Sequence, residues 1–241
     1  MTSSTVLQPT PATAAGPSRA TVLRLSGAAL TSGGVLCIAG GTLHPIVAGK
    51  GHSVAALTSP GTPIAQILLG IGTALLVLGL PGMYAWLRPH IGTAGFAGLL
   101  CYLLGNIVTA TGHLTVELFV AHPFAADPAT AHLIAGNDQM LDSTAFVLFN
   151  QIGGLVMLAG MALLGASLLR NRAVPRWIAV LTLAGMAGFF LPIPAVQGFS
   201  GFLYEAPRGI AVAAIGVLML RHPGGWGQAG AGAQLSGPKT S

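Results

Sequence analysis

The sequence predicts an all-α fold, a polytopic bundle of about six transmembrane helices with both termini in the cytoplasm. Of the 241 residues, 53% are hydrophobic and only 6% are charged, and the mean hydropathy is +0.76. A soluble domain is about 25% charged, so most of this chain's surface must face lipid. Apolar windows long enough to cross a bilayer recur along the chain, and the basic residues between them follow a consistent sidedness.

Taken in order, the first element is a segment at 1–20, rich in Ser, Thr, Pro and Ala, for which disorder is predicted. Arg19 and Arg24 then precede an apolar run that is too long for the core of a cleavable signal peptide, which favours a first transmembrane helix. The predicted spans are 25–43, 64–87, 92–116, 145–169, 175–193 and 199–220. They form one domain at 21–221, and the Gly-rich segment 222–241 is predicted to be disordered.

The basic residues set the predicted orientation. Outside the spans, every Arg and Lys except Lys50 falls on one side of a six-span arrangement. The positive-inside rule therefore places both termini in the cytoplasm, with the chain in the plasma (inner) membrane. The excess of Arg over Lys, with abundant Ala and Gly, is typical of a GC-rich bacterial genome. Because the bases are dispersed, the expected partner is membrane lipid and not nucleic acid.

The sixth span carries Glu205 and Arg208, three residues apart. Pro207 predicts a kink or break at Ala206, since the residue before a proline avoids helical geometry. The helix from Pro207 onward would then be about 21 Å long, short of the roughly 30 Å hydrocarbon core. Irregular backbone at that depth is tolerated only where it lines protein or a water-filled cavity. Ionisable residues there are a functional hypothesis by default, and a structural ion pair is the alternative.

The remaining polar residues cluster on the outer side, which holds all five acidic residues. In the third span, side chains spaced by three and four residues share one face and predict one wall of an outward-open cavity: Asn106, Thr109, His113 and Glu117. Helix-bridging hydrogen bonds are the structural alternative. The fourth helix is expected to begin with Asp138 and Asp142, whose charges suit a helix N-terminus, and to carry Asn150 deeper in the membrane.

These residues receive candidate roles. Glu117 and Glu205 are acid/base candidates, together with His113 and Asp142, and Arg208, Asn106 and Asn150 are candidates for binding the substrate. Imidazole and carboxylate ligands suit zinc, iron or copper. The candidate metal ligands are His44, His113, Glu117 and His122, with Asp142 near them, although no HExxH motif is present.

Three classes of function fit this pattern. An intramembrane enzyme acting on a lipid or isoprenoid-like amphiphile fits best, and the alternatives are a small-molecule transporter and a non-catalytic subunit that binds a ligand or cofactor. The inner half of the spans has no acidic residue, whereas a coupled transporter needs polar groups along the path to both sides. The chain has no GxSxG motif and no nucleotide-binding loop, and the sequence specifies neither the cofactor nor the oligomeric state.

Overall fold

A computed structural model describes residues 16–225, so most of the segments predicted to be disordered lie outside the described residues. The helices are α1 (Arg19–Leu43), α2 (Val54–Leu57), α3 (Thr62–Val108), α4 (His122–Ala126), α5 (Thr144–Asn171), α6 (Arg176–Gly188) and α7 (Phe199–Arg221). Two π-helical segments, Thr109–Leu114 and Glu117–Ala121, join α3 to α4, and a 3₁₀ turn covers Ala131–Leu133. The described residues contain no β-strand, which confirms the all-α prediction.

Within the described residues, four helical stretches are long and apolar enough to cross a membrane. They are Arg19–Leu43, Thr62–Ala126, Thr144–Asn171 and Phe199–Arg221. This agrees with a multi-pass membrane protein. Six separate helices of the predicted lengths do not appear: the spans 64–87 and 92–116 lie in one 65-residue stretch, and the span 175–193 contains the 13-residue helix α6.

The long stretch reverses direction at Gly92, where φ is 58° and ψ is −169°. Glycine tolerates this positive φ because it has no Cβ. Leu69 and His113 line the same cavity, although 44 residues of straight helix would separate them by about 66 Å. Residues 62–91 and 93–108 are therefore two antiparallel arms of α3. The hydroxyl of Ser167 donates to the carbonyl of Ile91 at 2.6 Å, which satisfies an acceptor at the reversal.

Glycines let the helices approach closely. A Cβ added at Gly201 would overlap the carbonyl oxygen of Gly41, and one added at Gly34 would lie 2.5 Å from the carbonyl oxygen of Gly209. The backbones of α1 and α7 are therefore in direct contact, as small residues permit in membrane bundles. The second arm of α3 meets α5 in the same way, since a Cβ at Gly98 would lie 2.5 Å from the backbone nitrogen of Leu164.

Helix α7 runs without interruption from Phe199 to Arg221 with Pro207 inside it, so the predicted break at Ala206 is absent. The close packing of α7 on α1 on both sides of the proline explains why the helix continues. The irregular backbone lies earlier instead, at 189–198, between the end of α6 and Gly198, whose φ is 76°.

The two ends of the bundle differ in character. At one end, the indole nitrogen of Trp86 donates to the carbonyl of His222 at 2.8 Å, which brings the end of the first α3 arm, with Arg88, close to the end of α7, with Arg221. At the opposite end, His44 follows the last residue of α1 and contacts Glu117. This separation matches the sidedness seen in the sequence, while the orientation in a membrane stays a prediction.

Candidate functional site

Three histidines surround the carboxylate of Glu117, which is fully buried (0% exposed). The Nε2 atom of His44 lies 3.0 Å from Oε1 of this carboxylate. The Nε2 atoms of His52 and His113 each lie 3.4 Å from Oε2. Burial of a carboxylate away from water requires compensating partners, so these imidazoles and Glu117 form one coupled polar cluster.

Different elements supply the members of this cluster. His44 is the C-cap residue that follows α1, and Pro45 comes after it. His52 directly precedes Ser53, the N-cap residue of α2. His113 and Glu117 come from the two π-helical segments that continue the second arm of α3. A π-helical turn contains an extra residue and changes the direction of the side chains that follow, and such turns are frequent at functional sites.

Asp138 holds the loop that carries His52. Its carboxylate accepts hydrogen bonds from the backbone nitrogens of Gly51 and His52, at 3.2 and 2.6 Å. Its backbone carbonyl accepts a hydrogen bond from Nδ1 of His52 at 3.1 Å. Nearby, Nζ of Lys50 donates to the carbonyl of Gly136 at 2.7 Å. The loop after α1 and the loop before α5 are thus joined, and the imidazole of His52 is fixed in orientation.

The pKa of His52 responds to opposing influences. Burial lowers this pKa, but the contact with the Glu117 carboxylate and the charge and carbonyl of Asp138 raise it, and the net direction is upward from the ordinary 6.5. The surroundings of this imidazole therefore favour a positive charge.

A second polar group lies on α7. Nε of Arg208 donates to Oε2 of Glu205 at 2.8 Å, and Nη2 donates to both carboxylate oxygens at 2.7 and 2.6 Å. The remaining nitrogen, Nη1, contacts the sulfur of Met157 at 3.2 Å. Because Nε and Nη2 of Arg208 already donate to Glu205, Arg208 cannot form a bidentate contact with a ligand through these two nitrogens while the pair is intact.

Two adjoining cavities connect the histidine cluster with this ion pair. The larger, about 400 Å³, is lined by polar groups that include His44, His52, His113 and Glu205. The smaller, about 240 Å³, is lined by Asn150, Arg208, Glu205 and His113 among others. Both cavities share Leu69, His113, Phe189 and Glu205. The side chain of His113 is 34% exposed, which leaves the imidazole accessible from the cavities.

The structure thus brings together several of the residues selected from the sequence. His113, Glu205, Arg208 and Asn150 line the cavities, and Glu117 lies directly behind His113. The amide nitrogen of Asn150 also donates to the backbone carbonyl of Phe146 at 3.2 Å.

Three other candidates lie elsewhere. Asn106 is buried, and its amide nitrogen donates to the carbonyl of Tyr102 at 2.7 Å. Nδ1 of His122 donates to the carbonyl of Leu57 at 2.6 Å, outside the cluster. Asp142 is exposed in the loop ahead of α5. None of the three lines either cavity. The expectation that α5 begins at Asp138 is wrong, because Ser143 caps the helix and Thr144 begins it.

The sequence patterns indicated no role in the site for His52, nor for the hydrogen bonds by which Asp138 holds the His52 loop. Both lie in loops, where no helical periodicity indicates which way a side chain points. The available signal was the short, Gly-containing connection "HPIVAGKGH", which begins and ends with histidine. A connection of that length keeps both imidazoles near the same end of the bundle.

His44, His52 and Glu117 together resemble a metal-ligand set. Each offers one ligand atom, and the three atoms lie within 4.8 Å of one another. No protein-family model matches this chain, and neither does any curated protein or solved structure. The function is therefore argued from the geometry of the cluster, the ion pair and the cavities.

Proposed function

We propose that this protein is an integral membrane enzyme that acts, from the extracytoplasmic side, on the polar head group of a lipid or isoprenoid-like amphiphile. The observation that carries the proposal is the pair of adjoining cavities that link the Glu117 cluster with the Glu205–Arg208 pair. Concave sites with a few convergent polar groups among apolar walls are the usual form of small-molecule sites. The mixed lining suits a molecule that has both a polar and an apolar part.

The short helix α6 and the segment that follows it support an amphiphilic substrate. Helix α6 has 13 residues and is about 20 Å long, short of a roughly 30 Å hydrocarbon core. The irregular segment 189–198 follows it, and Phe189, Ile193 and Ala195 from this segment line the larger cavity. Large apolar side chains nearby are exposed, including Phe190 at 67% and Leu191 at 59%. An acyl or prenyl tail fits against these residues while its head group enters the cavity.

The polar residues suit proton transfer on such a head group. His113 is accessible from both cavities, and its imidazole lies 3.4 Å from the buried carboxylate of Glu117. A carboxylate behind an imidazole orients the ring, as in other acid/base sites. Glu205 and Asn150 line the smaller cavity together with His113, so a head group in it would meet both hydrogen-bond donors and acceptors.

The cavities fit a site that a substrate reaches from one side of the membrane better than they fit a transport path across it. Arg208 also lines a space of only about 10 Å³, whose walls include the large side chains of Tyr102, Met161 and Leu164. This is room for about one water molecule, so this space offers a substrate no passage. The transporter therefore ranks below the enzyme, and the conversion assay described below separates the enzyme from the non-catalytic binding subunit.

The proposed topology keeps six crossings and cytoplasmic termini. The two arms of α3, together with α1, α5 and α7, provide five long segments, and α6 with the segment after it forms the short sixth. The basic end of the bundle then faces the cytoplasm in the plasma membrane, as the positive-inside rule requires.

The proposal is tested with protein purified in a mild detergent from bacterial membranes. Lipids that remain bound are extracted and identified by mass spectrometry, and the protein is then incubated with a total membrane lipid extract to detect products. We expect one class of amphiphile to be enriched and converted. The variant His113→Ala should lower conversion by about 100-fold or more, the usual contribution of a general acid or base.

A pair of matched variants controls for nonspecific lipid. Ala195→Trp fills the larger cavity, whereas Ala166→Trp fills a cavity of about 320 Å³ at the other end of the bundle. Only Ala195→Trp should weaken retention of the enriched amphiphile, by about tenfold or more, which corresponds to about 1.4 kcal/mol. Equal retention by both variants, or no converted species with the wild type, would refute the proposal.

A further inference from the structure

We propose that His44, His52 and Glu117 bind a divalent transition-metal ion, with zinc as the ion that best fits the ligand set. The ion's binding stands independently of the proposed function, and only its role toward an amphiphile rests on that function. Two imidazole nitrogens and one carboxylate oxygen form a ligand set that zinc uses in catalytic sites. All three residues lie at the His-rich end of the bundle, and Glu117 is fully buried.

The distances between the ligand atoms agree with this ion. Zinc lies about 2.0–2.1 Å from imidazole nitrogen and at a similar distance from carboxylate oxygen, so neighbouring ligand atoms in a tetrahedral site are about 3.3–3.4 Å apart. Nε2 of His44 lies 3.0 Å and Nε2 of His52 lies 3.4 Å from the nearest carboxylate oxygen of Glu117. These two contacts use different oxygens of the carboxylate, and one ligand atom from each residue lies within 4.8 Å of the other two, so the side chains must move closer together to hold one ion.

The hydrogen bond made by His52 gives an independent reason for a cation. A carbonyl oxygen only accepts hydrogen bonds, so Nδ1 of His52 carries the proton that it donates to Asp138. In the neutral imidazole, Nε2 then presents a lone pair to Oε2 of Glu117, 3.4 Å away. Both atoms are buried and neither has a hydrogen-bond partner among the described residues. Two facing lone pairs repel each other unless a cation lies between them. A proton on Nε2 of His52 removes this repulsion, and so does a metal ion bound to both atoms, which is the case that we propose.

Asp138 acts in this site as a positioning residue. Metal-binding histidines almost always donate their other ring nitrogen to a carbonyl or carboxylate, which fixes the tautomer. Here the backbone carbonyl of Asp138 accepts a hydrogen bond from Nδ1 of His52. The carboxylate of Asp138 accepts hydrogen bonds from the backbone nitrogens of Gly51 and His52.

The ion would face the larger cavity. His44 and His52 both line that cavity, and His113 lies beside them, 3.4 Å from the same carboxylate. With three protein ligands, the fourth position of a tetrahedral ion stays open, which is the arrangement that catalytic zinc sites use to bind water or a substrate oxygen. In the proposed enzyme, that position points at the head group of the amphiphile.

The test measures metal content and needs no substrate. Purified full-length protein in detergent is stripped with EDTA, reloaded with ZnCl₂, freed of excess metal and analysed by mass spectrometry of the metal. We expect about one zinc per chain for the wild type. His44→Ala, His52→Ala and Glu117→Gln should each lose most of it, whereas His122→Ala should keep it, because His122 lies outside the cluster and bonds to Leu57.

A second measurement separates metal binding from folding. Chelator competition on Asp138→Ala should show an affinity for zinc about tenfold weaker than in the wild type, because the variant loses the carboxylate that accepts from the backbone nitrogens of Gly51 and His52 and so positions the ligand His52, and Asp138→Asn should restore part of it. Protein loaded with Co²⁺ should show the intense visible absorption of a tetrahedral site, and His52→Ala should remove it. Wild-type protein that is monodisperse yet binds no zinc, or a loss in His122→Ala equal to that in His52→Ala, would overturn the proposal.

Discussion

Replacing Glu205 by leucine isolates the energetics of the ion pair on α7. In the wild type, Arg208 is 6% exposed and makes three hydrogen bonds to Glu205 at 2.6–2.8 Å. Glu205→Leu leaves a buried guanidinium whose remaining hydrogen-bond partner among residues 16–225 is the sulfur of Met157. Removing one partner of a buried pair destabilises a protein by about 3–5 kcal/mol. For a chain of this size, that corresponds to a fall in Tm of about 6–20 °C.

The double variant Glu205→Leu with Arg208→Leu provides the comparison. It removes both charges, and apolar replacements of a whole buried pair are often neutral or stabilising by about 1–4 kcal/mol. Thermal unfolding in detergent, followed by tryptophan fluorescence, should therefore rank the double variant at or above the wild type and well above Glu205→Leu. If the pair also serves the site, the double variant stays folded but loses lipid conversion, because Glu205 lines both cavities.

Two results would refute this reasoning. Wild-type stability in Glu205→Leu would mean that Arg208 is not confined to a low-dielectric site with a single partner. Full lipid conversion by a stable double variant would mean that the pair is purely structural. A double-mutant cycle measures the coupling directly, since the two residues are in contact.

Three further predictions concern packing, topology and a buried amide. Gly201→Ala should destabilise the protein by about 1–3 kcal/mol in the same thermal assay because the helices cannot separate freely, whereas Gly154→Ala, with open space around it, should not. In a variant without the native cysteines, a membrane-impermeant thiol reagent applied to intact cells should label a Cys at Asp127 but not one at Asn171, and the reverse pattern would invert the topology. Gln66 is 1% exposed with no hydrogen-bond partner for its amide among the described residues, so Gln66→Leu should stabilise by about 1–3 kcal/mol, and a marked loss would show that the amide has a bound partner.

The helical class and the polar end of the bundle could be predicted because composition and periodicity determine them. The low content of charged residues predicts that the apolar helices lie in lipid. The spacing of four residues between His113 and Glu117 predicts that their side chains share one helix face. Glu205 and Arg208 were likewise found from their position in an apolar span.

The loop geometry could not be predicted in the same way. Asp138 adopts a left-handed φ of 67°, and its carboxylate accepts hydrogen bonds from backbone nitrogens of the His52 loop, an arrangement that leaves no periodic signal in the sequence. The break expected at Pro207 is absent, and a kink there stays a prediction. The expectation of a break followed from local proline stereochemistry. The packing of α7 on α1 is a tertiary effect and outweighs it.

A structure determined by electron cryomicroscopy in lipid nanodiscs made from bacterial membrane lipid tests the central claim most directly. We expect an elongated density whose polar end lies between His113 and Glu205 and whose tail leaves the bundle past Phe190. A well-resolved map in which those cavities contain no lipid-like density, while lipid is ordered elsewhere around the bundle, would contradict it.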